Sequence, residues 1–188
     1  MGFLHTVLPE YYNKETIFVE TGTYLGGGID YALSFPFKRI ASCELLKNYY
    51  DLAKLKYNSV ELYHSNSIDF LKDILPTISK DDRIVFWLDA HYPGLYSDVK
   101  IEDIDTIFPL ERELEIIYEH RKDCKDLILC DDLRIYTQAS FHGGNIETPL
   151  QKDSISQFPA FTMWKQTHDI IDDLRDEGYL IFRSKNET

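Results

Sequence analysis

Short apolar runs recur along the chain at residues 17–19, 39–44, 60–64, 84–88, 127–130 and 179–182, with helix-like segments in the gaps. Strands alternating with helices define an α/β protein. Strand–helix–strand units cross over right-handedly, so the sheet should be mostly parallel. The expected architecture is a Rossmann-like α/β/α sandwich around a central, mostly parallel twisted sheet. At 188 residues the chain suits one domain spanning 1–188.

The gaps carry helical patterns. Residues 46–57 place Tyr49, Leu52, Ala53 and Leu55 as an apolar set. Ser67 can cap a helix with Ile68, Leu71 and Leu75 on one face, and Pro109 can open one carrying Leu110, Leu114 and Ile117. Ile170, Ile171 and Leu174 suggest a last helix, with Gly178 as its stop. Two stretches, 92–108 and 133–161, match no element. Both follow strands that end on Asp, so both should overhang the sheet edge where open α/β sheets bind ligands.

Charge narrows the partners. Thirty-two Asp and Glu oppose 20 Lys and Arg, for a net charge of -12. Phosphate backbones and anionic membrane surfaces need clustered cations, so neither nucleic acid nor membrane is expected. Cys43, Cys124 and Cys130 have no metal-like spacing and imply no disulfide scaffold. The N-terminus lacks a basic region followed by a long apolar stretch, and no window reaches about 18 apolar residues. A soluble, cytoplasmic protein with a small-molecule or glycan partner is expected, and a homodimer is compatible with this.

A glycine-rich turn follows the first run: Glu20-Thr21-Gly22-Thr23-Tyr24-Leu25-Gly26-Gly27-Gly28. A dinucleotide fingerprint would need glycine where Tyr24 stands, and tyrosine blocks the pyrophosphate. A phosphate-cradling loop would need Lys then Ser or Thr after its last glycine, where Ile29-Asp30 stand. The remaining pattern, Glu20-x-Gly22-x-x-x-Gly26, resembles the first motif of class I S-adenosylmethionine-dependent methyltransferases. The plainer reading is a simple turn.

That resemblance implies a cofactor site. Glu20, Gly22, Thr23 and Gly26 would form its turn, with backbone approaching the methionine part. Glu44, 22 residues after Gly22, would accept hydrogen bonds from both ribose hydroxyls. Asn66 and Ser67 would meet the adenine, with Ser65 replacing the family's usual glycine. Against this, Glu44 could be a solvated helix-start acid and Ser67 only a cap.

Asp89 ends the fourth run, and Asp131-Asp132 end the fifth. Converging carboxylates repel unless a cation, a proton or a basic group lies between them. The arrangement resembles the metal-dependent O-methyltransferases, including the macrocin O-methyltransferase-like group. It resembles more closely a set of methyltransferase-like proteins carrying Asp89-Ala90-His91-Tyr92-x-Gly94, Pro109-Leu110-x-x-Glu113-Leu114 and Asp131-Asp132-Leu133-Arg134. The likeness covers residues 17–135 and departs from the catechol-type pattern. No Lys follows Asp89, no Pro-Gly-Gly precedes the fifth run, and the short tail implies an incomplete last strand pair.

The resemblance implies S-adenosylmethionine as cofactor and a divalent cation, magnesium, on Asp89, Asp131 and Asp132. A metal-free site would instead pair Asp89 or Asp131 with Arg134, or set one against the cofactor amine. Asp89 and His91 are the candidate catalytic residues. His91 would take a proton from the acceptor hydroxyl, or act as a donor or metal ligand. Tyr92, Tyr96, Tyr136, Phe141, Phe158 and Phe161 could stack on an acceptor ring or sugar face. His5, His120 and His168 read as ordinary surface residues, and His142 would reach the site only if its loop folds back. The expected activity is O-methylation of a small molecule or glycan. The rivals are a non-catalytic cofactor-binding module and another metal-using enzyme on this fold.

Overall fold

A computed structural model describes residues 15–91, 104–137 and 158–185. Seven strands form one sheet: β1 (Thr16–Thr21), β2 (Arg39–Glu44), β3 (Glu61–His64), β4 (Arg83–Leu88), β5 (Leu127–Cys130), β6 (His168–Asp173) and β7 (Tyr179–Ser184). Their order is β3-β2-β1-β4-β5-β7-β6. The first five are parallel, while β7 runs antiparallel to both β5 and β6. The expected mostly parallel Rossmann-like sheet is therefore the observed one.

The helices are α1 (Gly27–Ala32), α2 (Lys47–Lys56), α3 (Ser67–Ile74), α4 (Ile104–Ile107), α5 (Leu110–Arg121) and α6 (Pro159–Thr167). Side chains alternate across each strand, so neighbours in sequence serve opposite layers. Val19, Phe86, Ile128 and Phe182 pack against Phe70, Leu71, Leu114, Ile117 and Trp164 of α3, α5 and α6. Phe18, Val85 and Leu129 face the other way, toward Ile29, Ala53 and Tyr57. With both faces covered, β1 is buried along its whole length.

Several expectations on the elements need correction. The stretch read as a last helix is β6, and the antiparallel strand pair is complete. Ile170 packs against the core while Ile171 stays exposed, an alternation that fits a strand. The 92–108 stretch holds α4, and the 133–161 stretch holds the start of α6 and a 3-10 turn at Leu133–Ile135. Helix α2 forms as expected, but Leu52 and Leu55 are 57% and 82% exposed, and Ala53 is its buried residue. Asn66, not Ser67, caps α3, its Oδ1 accepting from the Asp69 amide at 2.8 Å.

At the amino edge of the sheet a buried ion pair ties α5 to β4. Arg121 Nε donates to Asp126 Oδ2 at 2.8 Å, and Asp126 Oδ1 accepts from the Ile84 amide at 2.8 Å. The guanidinium also donates to the carbonyls of Ser79 and Asp82. The three cysteines are free and buried. Among the described residues no helix is long and apolar enough to cross a membrane.

Candidate active site

The strand order reverses between β1 and β4, and a crevice opens outside their carboxyl ends, as in other open α/β sheets. A cavity of about 260 Å³ lies there, walled by residues that follow five strands: Gly22 and Tyr24; Glu44 to Leu46; Ser65 to Ser67; Asp89 to His91; Asp131, Asp132 and Arg134. Cys43, Tyr49, Thr106 and Glu177 complete its described wall.

The glycine turn is fastened to β2. The Gly22 and Thr23 amides both donate to the Cys43 carbonyl, at 3.1 and 3.0 Å. Gly22 has φ 82, and a Cβ there would sit 2.5 Å from the Asp89 carbonyl oxygen, so only glycine fits between β1 and β4. Gly26, with φ 80, leaves room for Tyr57, whose hydroxyl donates to the Gly26 carbonyl at 2.8 Å. Thr23 and Ser42 hydroxyls are 2.6 Å apart, and Ser42 donates to Glu20 Oε2. Burial lifts the Glu20 carboxyl far above its usual range. Glu20, Thr23 and Gly26 therefore shape the turn from beneath, while Gly22, Glu44, Asn66, Ser67 and Asp89 line the cavity.

Glu44 bridges the turn to the start of α2. Its Oε2 accepts from the Tyr24 amide and its Oε1 from the Leu46 amide, each at 2.7 Å. Burial raises its pKa, and the two amide bonds work against that rise. Each carboxylate oxygen can still accept another hydrogen bond. Tyr24 meets Tyr49 edge-on at 4.8 Å beside it.

The acidic cluster is organised by a histidine. His91 Nε2 lies 2.6 Å from Asp132 Oδ2, and its Nδ1 lies 3.6 Å from Asp89 Oδ1. Arg134 Nε donates to Asp132 Oδ1 at 2.7 Å. Asp132 holds a left-handed conformation, φ 52, and its amide donates to Asp131 Oδ1 at 2.8 Å. Burial opposes the charged form of His91. The Asp132 hydrogen bond and the charges of Asp89, Asp132 and Asp131 outweigh it and push the imidazole to about 9. Burial and the charge of Asp131 raise Asp89, and burial raises Asp131 to about 6. Asp132 moves down, because His91 and Arg134 overcome its burial.

The basic group between the carboxylates is thus His91 with Arg134. As an imidazolium at neutral pH, His91 has no lone pair with which to take a proton. Arg134 pairs with Asp132 and lies 3.8 Å from Glu177. A divalent cation on Asp89, Asp131 and Asp132 does not fit these residues as placed. The positive charges of His91 and Arg134 already lie on Asp132, and among the described residues no three His, Cys, Asp or Glu side chains are grouped to hold a metal.

The aromatic shelf also differs. Tyr136 and Phe161 are buried, and Phe158 packs edge-on to Tyr136 at 5.9 Å and to Phe161 at 5.9 Å. These rings fill the core beside the site. His168, expected at the surface, is 1% exposed. Tyr92, Tyr96, Phe141, His142 and His5 lie outside the described residues. Sequence reasoning gave no site role to Tyr57, Tyr49, Glu177 or the inward-facing Glu113. Glu177 carried no signal once the tail was read as helix. Glu113 stood at a core-facing spacing with Leu110 and Leu114.

No family model matches this chain, and no curated protein matches it. Solved structures do. An O-methyltransferase from Bacillus cereus in complex with S-adenosylhomocysteine matches at TM-score 0.59 and 12% identity, over 97% of this chain and 79% of that one. A SAM-dependent methyltransferase from Anabaena variabilis matches at 0.57 and 11%, over 97% and 84%. An rRNA methylase from Streptococcus thermophilus matches at 0.56 and 12%, over 97% and 95%. The chain has the Rossmann-like fold seen in these methyltransferases.

Proposed function

We propose that the protein transfers a methyl group from S-adenosylmethionine to an oxygen of a small molecule or glycan. The observation that carries this reading is Glu44, held by two backbone amides and facing the same cavity as Gly22 and Asp89. Its spare acceptor capacity suits a pair of ribose hydroxyls. Asn66 and Ser67 would face the base, and Gly22 and Asp89 the amino-acid end. The sulfonium supplies an activated methyl group for an in-line displacement.

The chain's own residues align the acceptor and dispose of one proton. Asp131 is the best-placed proton acceptor. Its Oδ1 takes the Asp132 amide, which leaves Oδ2 for the proton, and a carboxyl group near 6 is ionised at neutral pH. His91 and Arg134 hold Asp132 and offset the surrounding negative charge. The excess of acidic groups on the protein favours an uncharged acceptor over a polyanion such as RNA. Magnesium, which the family resemblance implied, has no part in this scheme.

Calorimetry with S-adenosylhomocysteine tests the reading. Wild-type protein should bind, and Glu44→Ala should bind roughly 10- to 100-fold more weakly, since hydrogen bonds to a charged group contribute about 1.5–3 kcal/mol. Equal affinities would take Glu44 out of the site, and no binding by wild type would end the reading.

A further inference from the structure

Two side chains that bracket α2 both reach the glycine turn. Glu44, ahead of the helix, accepts the Tyr24 amide at 2.7 Å. Tyr57, directly after its last residue, sets its hydroxyl 2.8 Å from the Gly26 carbonyl oxygen, across 31 positions. Tyr57 is buried, and its own amide donates to the Ala53 carbonyl, which ties its backbone to the helix end. The Gly26 carbonyl also accepts the Asp30 amide at 2.9 Å, so both lone pairs of that oxygen are taken. A Cβ at Gly26 would collide with the Tyr57 hydroxyl, so the glycine and the phenol are fitted to each other. A buried phenol needs one partner, and Asp30 alone would supply it. Asp30 is exposed, its Oδ1 lies 2.8 Å from the same hydroxyl, and Lys56 balances its charge at 2.7 Å. One proton therefore faces two acceptors, and the one on the turn is a backbone carbonyl.

We propose that Tyr57 is a positioning residue for the cofactor: its hydroxyl, donated to the Gly26 carbonyl, holds the Gly22–Gly26 turn in the shape that faces the cavity, while Asp30 competes for the same proton. The inference rests on the methyl transfer proposed above. Glycines 26–28 in succession give an unfastened turn many conformations. A ligand that needs one of them is weakened by the share of time the turn spends in the others. The Gly26 amide donates to the Thr23 carbonyl at 2.8 Å, so a restraint on Gly26 is passed to Thr23 and to its neighbour Tyr24, which lines the cavity. Glu44 and Tyr57, one at each end of α2, thus splint the turn from the same helix.

Calorimetry with S-adenosylhomocysteine on the whole chain tests this with two variants of opposite expectation. Tyr57→Phe keeps the ring and loses the hydroxyl, and should bind about 5- to 10-fold more weakly. Asp30→Ala leaves the proton to Gly26 alone, and should bind as tightly as wild type or up to about threefold more tightly. A cluster that acted only through the stability of this corner would weaken binding in both. An unchanged Tyr57→Phe, or an Asp30→Ala weakened as much as Tyr57→Phe, overturns the inference. Should Tyr57→Phe fail to fold, wild type decides. Coupling is reciprocal, so a bond that strengthens the ligand is strengthened by it. Saturating S-adenosylhomocysteine should slow exchange of the Tyr57 hydroxyl proton with water, read by proton magnetic resonance, by about the same 5- to 10-fold. Unaltered exchange overturns the inference. No binding by wild type would end the methyltransferase reading and the splint together, whereas binding by wild type with no loss in Tyr57→Phe would end the splint alone.

Discussion

His91 and His168 are both enclosed, and their surroundings move them in opposite directions. Carboxylates hold His91 charged to about 9. Burial, with the Lys185 charge, drops His168 to about 4; its Nε2 has no hydrogen-bond partner among the described residues, and its ring lies edge-on to Trp164 at 4.6 Å. For His91 the folded pKa exceeds the unfolded value near 6.5, so its contribution is full below about 6.5 and is lost as pH rises through 9. For His168 the folded value is lower, so its contribution is present above about 6.5 and is lost as pH falls through 4. Each effect is on the order of 3 kcal/mol. Denaturant unfolding across pH should show His168→Asn losing roughly 2–3 kcal/mol less than wild type between neutral pH and about 4.5. An identical pH dependence would show that His168 does not limit acid stability. At this scale the sequence placed Gly22, Glu44, Asp89, His91, Asp131 and Asp132 at the right edge, because a strand end fixes where a residue sits. It did not reveal that His91 meets Asp132 across 41 positions. That contact depends on the β4–β5 pairing and on a left-handed Asp132, and neither is a local property of the chain.

Helices and strands differ in how much they owe to their own sequence. The period of residues 46–57 gave α2 its existence but not its buried face, because Ala53 is the position of this helix that reaches the core. Replacing exposed Leu55 with Glu should change unfolding free energy by less than about 0.5 kcal/mol. Arg121→Ala should cost about 3–5 kcal/mol, because it strands buried Asp126 without its partner. Chemical denaturation of the two variants checks both values, and a larger loss for Leu55→Glu would reverse the assignment of faces. β6 was misread for a related reason. Its apolar residues are adjacent, Ile170 and Ile171, and such a pair suits a helix stripe or a one-sided strand until its β7 partner is known.

Across the whole molecule, the mostly parallel sheet was legible from the alternation of strands and helices, and its acidic edge from the Asp residues that end two strands; the strand order that makes the switch point was not. The complete antiparallel pair at the tail was not, since its strands find each other only in the finished sheet. A ligand that spans the crevice would touch residues after all five parallel strands, and so should stabilise the fold as a unit. At 100 times its dissociation constant, S-adenosylhomocysteine should add about 2.7 kcal/mol. Thermal unfolding should then shift upward by roughly 5–10 °C. Magnesium or a chelator should move the transition little, given that His91 and Arg134 occupy Asp132. A magnesium shift as large as the ligand's would restore the cation to the site.

The contact of Tyr136 with Phe158 means that the chain departs from the site at one ring and re-enters at another 5.9 Å away. Whatever joins those two rings therefore begins and ends on a closed stem. Closure entropy grows only slowly with length, about 0.6 kcal/mol per doubling, so the length of the connection across that stem weighs little on its closure. Replacing 138–157 with a brief Gly/Ser bridge should leave S-adenosylhomocysteine affinity within about threefold, a difference of roughly 0.7 kcal/mol. Loss of binding would instead make that segment part of the cofactor site itself.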